Sequence, residues 1–146
     1  MLLPSRRMRH RIETERGDQK RPELEFKTGP GGLVDMEFLV QGLQLRHGHA
    51  HAQLRTAHTL AALNRLTSLG ILDEEQSFVL RRDYLLLRRI ENALRRVGNT
   101  SVSRIPPDDH EQALLAKRLG FPSLEAFWEA YRLATQRLRQ LYAQLV

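Results

Sequence analysis

Cysteine is absent from the 146 residues, which excludes a disulfide framework and thiolate chemistry and suits a cytoplasmic setting. Long apolar runs are missing too. None approaches the roughly 18 residues a membrane span needs, and the opening Met1-Leu-Leu-Pro-Ser-Arg-Arg has no apolar signal-peptide core. Aromatic residues make up only 6% and are not interleaved with basic ones. With no zinc-finger spacing and no RNP-like segment, nucleic acid is an unfavoured partner. There is no P-loop, no Gly-Ser turn, no D-x-D carboxylate pair and no nucleophile elbow, so no catalytic apparatus is recognisable.

What is present suits one globular domain, with 41% hydrophobic and 27% charged residues. The charge is lopsided: 23 Lys and Arg against 17 Asp and Glu leave a net +6. Such a surface is either a solvated arginine face or one that meets an acidic partner or a phosphate group.

Along the chain the dominant period is helical. Residues 4–16 read as a short basic helix stopped by Gly17. Residues 18–23 read as a loop, and Leu24 and Phe26 alternate with charged neighbours as a short extended arm would. A lone strand there would need a sheet from outside this chain. From Leu33 one apolar stripe (Leu33, Met36, Leu39, Val40, Leu43) and a second nearly opposite (Val34, Phe38, Leu45) predict a central helix covered on both flanks. Further helices are expected over 56–69 with Gly70 as the stop, and from an Asp73–Gln76 capping box to about Val97. Two more are expected over 108–119 before Gly120, and from Ser123 to the C-terminus. The fold class is all-α, a bundle of five to six helices with a short extended N-terminal arm.

The most informative stretch is Lys27-Thr-Gly-Pro-Gly-Gly-Leu-Val-Asp-Met-Glu-Phe-Leu-Val-Gln41. Paired glycines lead straight into a helix with acidic residues in its first turn. Such a junction is expected to expose free backbone N–H groups, ready for an anion or another domain. Asp35 and Glu37 lie about 200° apart on a helix, too far round to chelate one ion, so their roles separate. Asp35 complements the helix dipole and ties down the Gly-Gly turn, while Glu37 with Gln41 faces a partner surface or a nucleotide. Lys27 either pairs with Asp35 or reaches a phosphate. Gly31 and Gly32 serve either positive φ angles or close backbone approach, and the sequence leaves that choice open.

Three Arg-Arg pairs recur every seven residues at 81–82, 88–89 and 95–96. They form either a solvated face, with Glu91 and Arg95 paired at i, i+4, or a docking face built on Arg81, Arg88 and Arg95. Asp83 falls on the apolar side of the same helix and requires a buried partner. His47, His49 and His51 alternate, but no carboxylate or cysteine nearby completes a set, so a polar helix-end loop is expected and no metal site.

The Lys27-x-Gly-x-Gly-Gly-Leu-x-Asp-x-Glu-Phe-x-x-Gln41 pattern resembles the motif that opens the helical domain of glutamine synthetase adenylyltransferases, with a shorter relative in the PII uridylyltransferases. Gln41 to Gly48 resembles the helix continuation, Thr59 to Leu66 with Gly70-Ile-Leu the next helix, and Tyr84 to Leu94 the long one. Ile105-Pro with Leu115 to Phe121 resembles the penultimate segment, and Met8 to Arg16 the arm joining catalytic and helical domains. Val34, where arginine is common in the family, together with Leu-Arg-His-Gly-His, favours the second, adenylylating half of a duplicated enzyme.

The resemblance implies residues 1–30 as a basic helix and linker arm from a missing catalytic domain, and 31–146 as the helical bundle. It implies a bundle packed on an upstream nucleotidyltransferase domain, with Lys27, Gly31, Gly32, Asp35, Glu37 and Gln41 at a nucleotide or domain interface. Glutamine synthetase, and the PII protein, would be partners. Mg²⁺ and ATP would belong to the upstream domain and none to this segment, which by itself would be inactive. The rival readings are a module docking glutamine synthetase or PII through its arginine face, the equivalent uridylyltransferase domain, and a basic nucleic-acid-binding bundle.

Overall fold

The computed structural model describes residues 21–98 and 103–145. Among them are five α-helices: α1 Leu33–His47, α2 Thr59–Ser68, α3 Glu74–Gly98, α4 Asp109–Arg118 and α5 Leu124–Leu145. No strand occurs among the described residues. The all-α expectation holds, and no helix there is long and apolar enough to cross a membrane.

The boundaries follow local chemistry. At the start of α3, Gln76 N–H donates to Asp73 Oδ1 at 2.7 Å and Asp73 N–H to Gln76 Oε1 at 3.1 Å, a reciprocal capping box. Asp108 accepts Glu111 N–H before α4, and Ser123 accepts Ala126 N–H before α5. Helices α2 and α4 end on Gly70 (φ 77) and Gly120 (φ 85). In each, the next N–H returns to a carbonyl five residues back, Ile71 to Leu66 and Phe121 to Ala116.

The core has two parts. Leu24, Phe26, Leu33, Leu87, Ile90, Ile105, Leu115 and Phe127 form one, between the N-terminal turn, α3, α4 and α5. Met36, Leu39, Leu43, Leu63, Leu66, Leu80 and Leu138 form the other, between α1, α2, α3 and α5. Tyr84 packs against both, so α3 and α5 are the shared spine. The aromatic residues Phe127, Trp128 and Tyr131 cluster as expected, with ring centroids 5.3–6.0 Å apart.

Among the described residues, the segment around Leu24 and Phe26 is not extended. Pro22–Leu24 is a 3₁₀ turn, and Leu24 and Phe26 are both fully buried in the bundle's own core. Leu24 carbonyl accepts Ile105 N–H at 2.7 Å. Alternation over so few residues is satisfied equally by a tight turn, and Pro22 at its first position sets the φ that the turn needs. No external sheet is required. The basic helix expected over 4–16 lies outside the described residues.

Candidate functional site

The glycine turn proves to be a closed knot. Gly31 N–H donates to Asp35 Oδ2 at 2.5 Å, Gly32 N–H to Gly29 carbonyl, Leu33 N–H to Phe26 carbonyl and Val34 N–H to Lys27 carbonyl. The N–H groups from Gly31 to Val34, expected to be free, are therefore satisfied within the turn, and they do not form an open anion cradle. The reason is that the chain doubles back, so that carbonyls before the glycines cap the helix after them. Asp35, 3% exposed, plays the structural part foreseen for it.

The glycines divide. Gly31 has φ +74, and an added Cβ would fall on the Thr135 carbonyl of α5. Positive φ and close approach act together there. Gly32 has φ −86, which any residue adopts, but its Cβ would lie 2.5 Å from the Phe26 carbonyl. Only approach requires glycine at that position.

Lys27 reaches across to α3. Its ammonium lies 3.4 Å from Glu91, which also takes Arg88 at 2.6 Å and Arg95 at 3.4 Å. Glu91 is 2% exposed, and the three cations offset the cost of burying its charge. Glu37 sits in the same field. Burial pushes its carboxyl above the usual range, Arg88 and Lys27 pull it down, and Glu91 pushes it up again. Arg81 donates to Asn64 Oδ1. Each of Arg81, Arg88 and Arg95 thus has a partner inside the bundle, although Arg88 and Arg95 keep partly exposed heads.

The outer side of α1 is different. At about 100° per residue, Glu37, Gln41, Val34, Leu45 and Phe38 share one face. The stripe from Leu33 to Leu43 is buried, whereas Val34 and Phe38 are half-buried, Gln41 is exposed and Leu45 is 63% exposed. One flank of α1 is covered by its own bundle; the other is open. Gln44 marks its edge, donating to the Leu54 and Thr56 carbonyls at 2.5 and 2.8 Å and fastening that loop to α1. Beside it a groove of about 490 Å³ is lined by Gln41, Leu45, His49 and Arg55 among others. His47 closes α1 and His49 lies in the turn beyond. Among the described residues no three His, Asp or Glu side chains converge as metal ligands would.

The buried Asp83 has the partner its position demanded, in a half-buried arginine. Arg137 of α5 grips it with two bonds, Nε to Oδ2 at 3.1 Å and Nη2 to Oδ1 at 3.0 Å. Sequence reasoning missed two features. Glu25 is buried 3.6 Å from Arg104, its carboxyl raised by burial; a polar residue between two apolar ones gave no sign of this. Phe78 and Leu85 stand exposed among the arginines of α3, and their seven-residue spacing is a signal that could have been read.

Residues 6–146 match the family model described as GlnD PII-uridylyltransferase. A bifunctional glutamine synthetase adenylyltransferase/adenylyl-removing enzyme of Streptomyces coelicolor is 38% identical over 143 residues, 96% of this chain and 14% of that protein. The enzyme of the same description from Xanthomonas campestris is 35% identical over 84% of this chain and 13% of its own length. That from Alteromonas mediterranea is 30% identical over 97% of this chain and 14% of its own. The chain therefore spans about 14% of the length of the curated relatives it matches.

Proposed function

The chain belongs to the GlnD PII-uridylyltransferase family, and we propose that it is the helical accessory domain of a glutamine synthetase adenylyltransferase. In that reading AMP passes from ATP to a tyrosine of glutamine synthetase, or is removed again, in a nucleotidyltransferase domain on which this bundle packs. The observation that carries the seam is the open face of α1, where Val34, Phe38 and Leu45 alternate with Glu37 and Gln41. A mixed apolar and polar helix face only partly covered by its own bundle suits an inter-domain contact.

The division of labour follows from the residues. Gly31 against α5 and Lys27 against Glu91 hold α1 at a set angle, so that its outer face meets the neighbouring domain in register. Glu37 and Gln41 then approach the nucleotide or the target from the side. The donors here do not fit Mg²⁺: Asp35 is turned in to Gly31, and Glu37 points elsewhere on the helix. The metal that supplies phosphoryl-group charge neutralisation would belong with the neighbouring domain's carboxylates. Alone, the bundle is inactive.

Reconstitution in trans tests this. The catalytic domain of a relative, glutamine synthetase and Mg-ATP are incubated with and without the chain, and AMP on the target is read by intact mass. Transfer that appears only with the chain, and falls for Phe38→Asp or Gln41→Ala, supports the seam. If the pieces bind yet transfer is unchanged, the bundle is a docking module. If UTP and PII protein are turned over and ATP is not, it serves a uridylyltransferase.

A further inference from the structure

A second surface lies between α3 and α5, away from the outer face of α1. A groove of about 580 Å³ is lined by Arg82, Leu85, Leu86, Arg89, Phe121 and Leu133, with the Asp83–Arg137 pair at one side. Leu85 is 41% exposed and Leu133 44%. On α3 the residues Phe78, Arg82, Leu85 and Arg89 recur at i, i+4, i+7 and i+11, one straight row that alternates apolar and basic side chains. Phe78, 64% exposed, carries the Arg82 guanidinium 5.7 Å from its ring centre. These are large apolar groups that a helix in contact only with water has no reason to display in register.

The charge is as one-sided as the shape. Three arginines and a single aspartate line the groove, and Arg137 already neutralises that aspartate. Arg82 Nε also lies 3.4 Å from Asp83, yet three arginines against one aspartate leave the rim positive, and Arg82 and Arg89 are exposed. Arg89 is held in place by donating to the Leu119 carbonyl at 2.7 Å, which leaves the rest of its guanidinium fork for a partner.

We infer that this groove docks an acidic amphipathic helix of a partner protein. Leucine-like side chains of the incoming helix fill the gap between Leu85 and Leu133, and flanking carboxylates meet Arg82 and Arg89. The seven steps from Arg82 to Arg89 rise roughly 10 Å, so two to three turns of the partner suffice. A second copy of this chain is a poor occupant, because its net charge is +6. Its own first twenty residues are no better, with six Lys and Arg against three Asp and Glu. The excess of arginine on the rim selects an acidic partner.

The probe is an acetylated helix-forming peptide of about fifteen residues, with leucines at i, i+4 and i+7 and glutamates between them. Its twin carries lysine for glutamate. Each is titrated into the ¹⁵N-labelled full chain, and phosphatidylserine vesicles are tested in parallel. The glutamate peptide is expected to shift amides over 78–89 and 130–137, with affinity falling as salt rises. Leu133→Asp and Arg89→Glu should each weaken it at least tenfold, Leu133→Asp at the wild-type melting temperature and Arg89→Glu at a slightly lower one, because the Arg89 bond to the Leu119 carbonyl is lost. Because both sites are on the surface, at least one variant will fold normally. Equal binding of the lysine peptide, no shifts at millimolar peptide, full affinity in the folded variants, or binding to vesicles alone would each overturn the assignment.

Discussion

The glycine turn before α1 and the outer face of α1 come from one continuous motif, Lys27 to Gln41, yet they are opposite in kind. In the turn the backbone N–H groups from Gly31 to Val34 and the Lys27 ammonium all have partners within the chain: Gly31 bonds Asp35, Gly32 bonds Gly29, and Lys27 reaches Glu91. On the face, Val34 and Phe38 are only half covered, and Gln41 and Leu45 stand in solvent. A short motif can thus hold two unrelated constraints. Its first half sets where a helix points, and its second half carries what the helix presents.

The distinction is testable, and the turn should give the largest effect. Gly31→Ala imposes a left-handed φ on an L-residue and drives its Cβ into Thr135, so a loss of about 3 kcal/mol or more is expected in urea unfolding. Gly70→Ala is the control. It has nearly the same φ but nothing within 4 Å, and should cost about 1 kcal/mol. Equal losses would mean that the α1–α5 approach contributes nothing.

Next comes Glu91→Ala, which frees Lys27, Arg88 and Arg95 together. All three heads are partly exposed and can rehydrate, so about 1–2 kcal/mol is expected, well below the value for a fully buried pair. Asp35→Asn keeps an acceptor for Gly31 N–H but loses the charge, for a cost of about 1 kcal/mol. The outer face should behave otherwise. Leu45→Asp is expected to leave unfolding within about 0.5 kcal/mol of wild type, yet to lower transfer in the reconstituted system at least tenfold. A Leu45→Asp variant that melts early would move this face into the structural half.

The smallest effect belongs to Glu37. Its carboxyl is raised above the ordinary 4.5, so its share of stability is fully present below that pH and is lost as pH rises through the folded value. Glu37→Gln should therefore match wild type in acid and be equal or slightly more stable near neutrality. Paired unfolding curves at pH 4 and pH 7 decide it. A variant less stable at pH 7 would show that Glu37 makes a net favourable ion pair.

Much of the bundle was legible in the sequence. Caps at Asp73 and Ser123, stops at Gly70 and Gly120, and the stripe from Leu33 to Leu43 all rest on interactions within about one turn of helix, which spacing encodes directly. The arm failed as a strand because alternation over Leu24 and Phe26 has no local signature separating it from a turn. The expectation of free N–H groups failed for a different reason. Their acceptors, the Phe26 and Lys27 carbonyls, become available only once the chain folds back over the glycines.

By itself, then, the sequence determined the helical class, most helix ends, the need of Asp83 for a partner, and a motif whose spelling points to one enzyme family. Each of these depends on residue type and near neighbours. Tertiary structure alone decided that Gly31 needs to be glycine because α5 passes at Thr135, and that Lys27 pairs with Glu91 sixty-four positions away. It also decided that one flank of α1 and the groove between α3 and α5 stay open. Those outcomes depend on which helices meet and how closely, and that follows from packing the whole apolar surface at once rather than from any one segment.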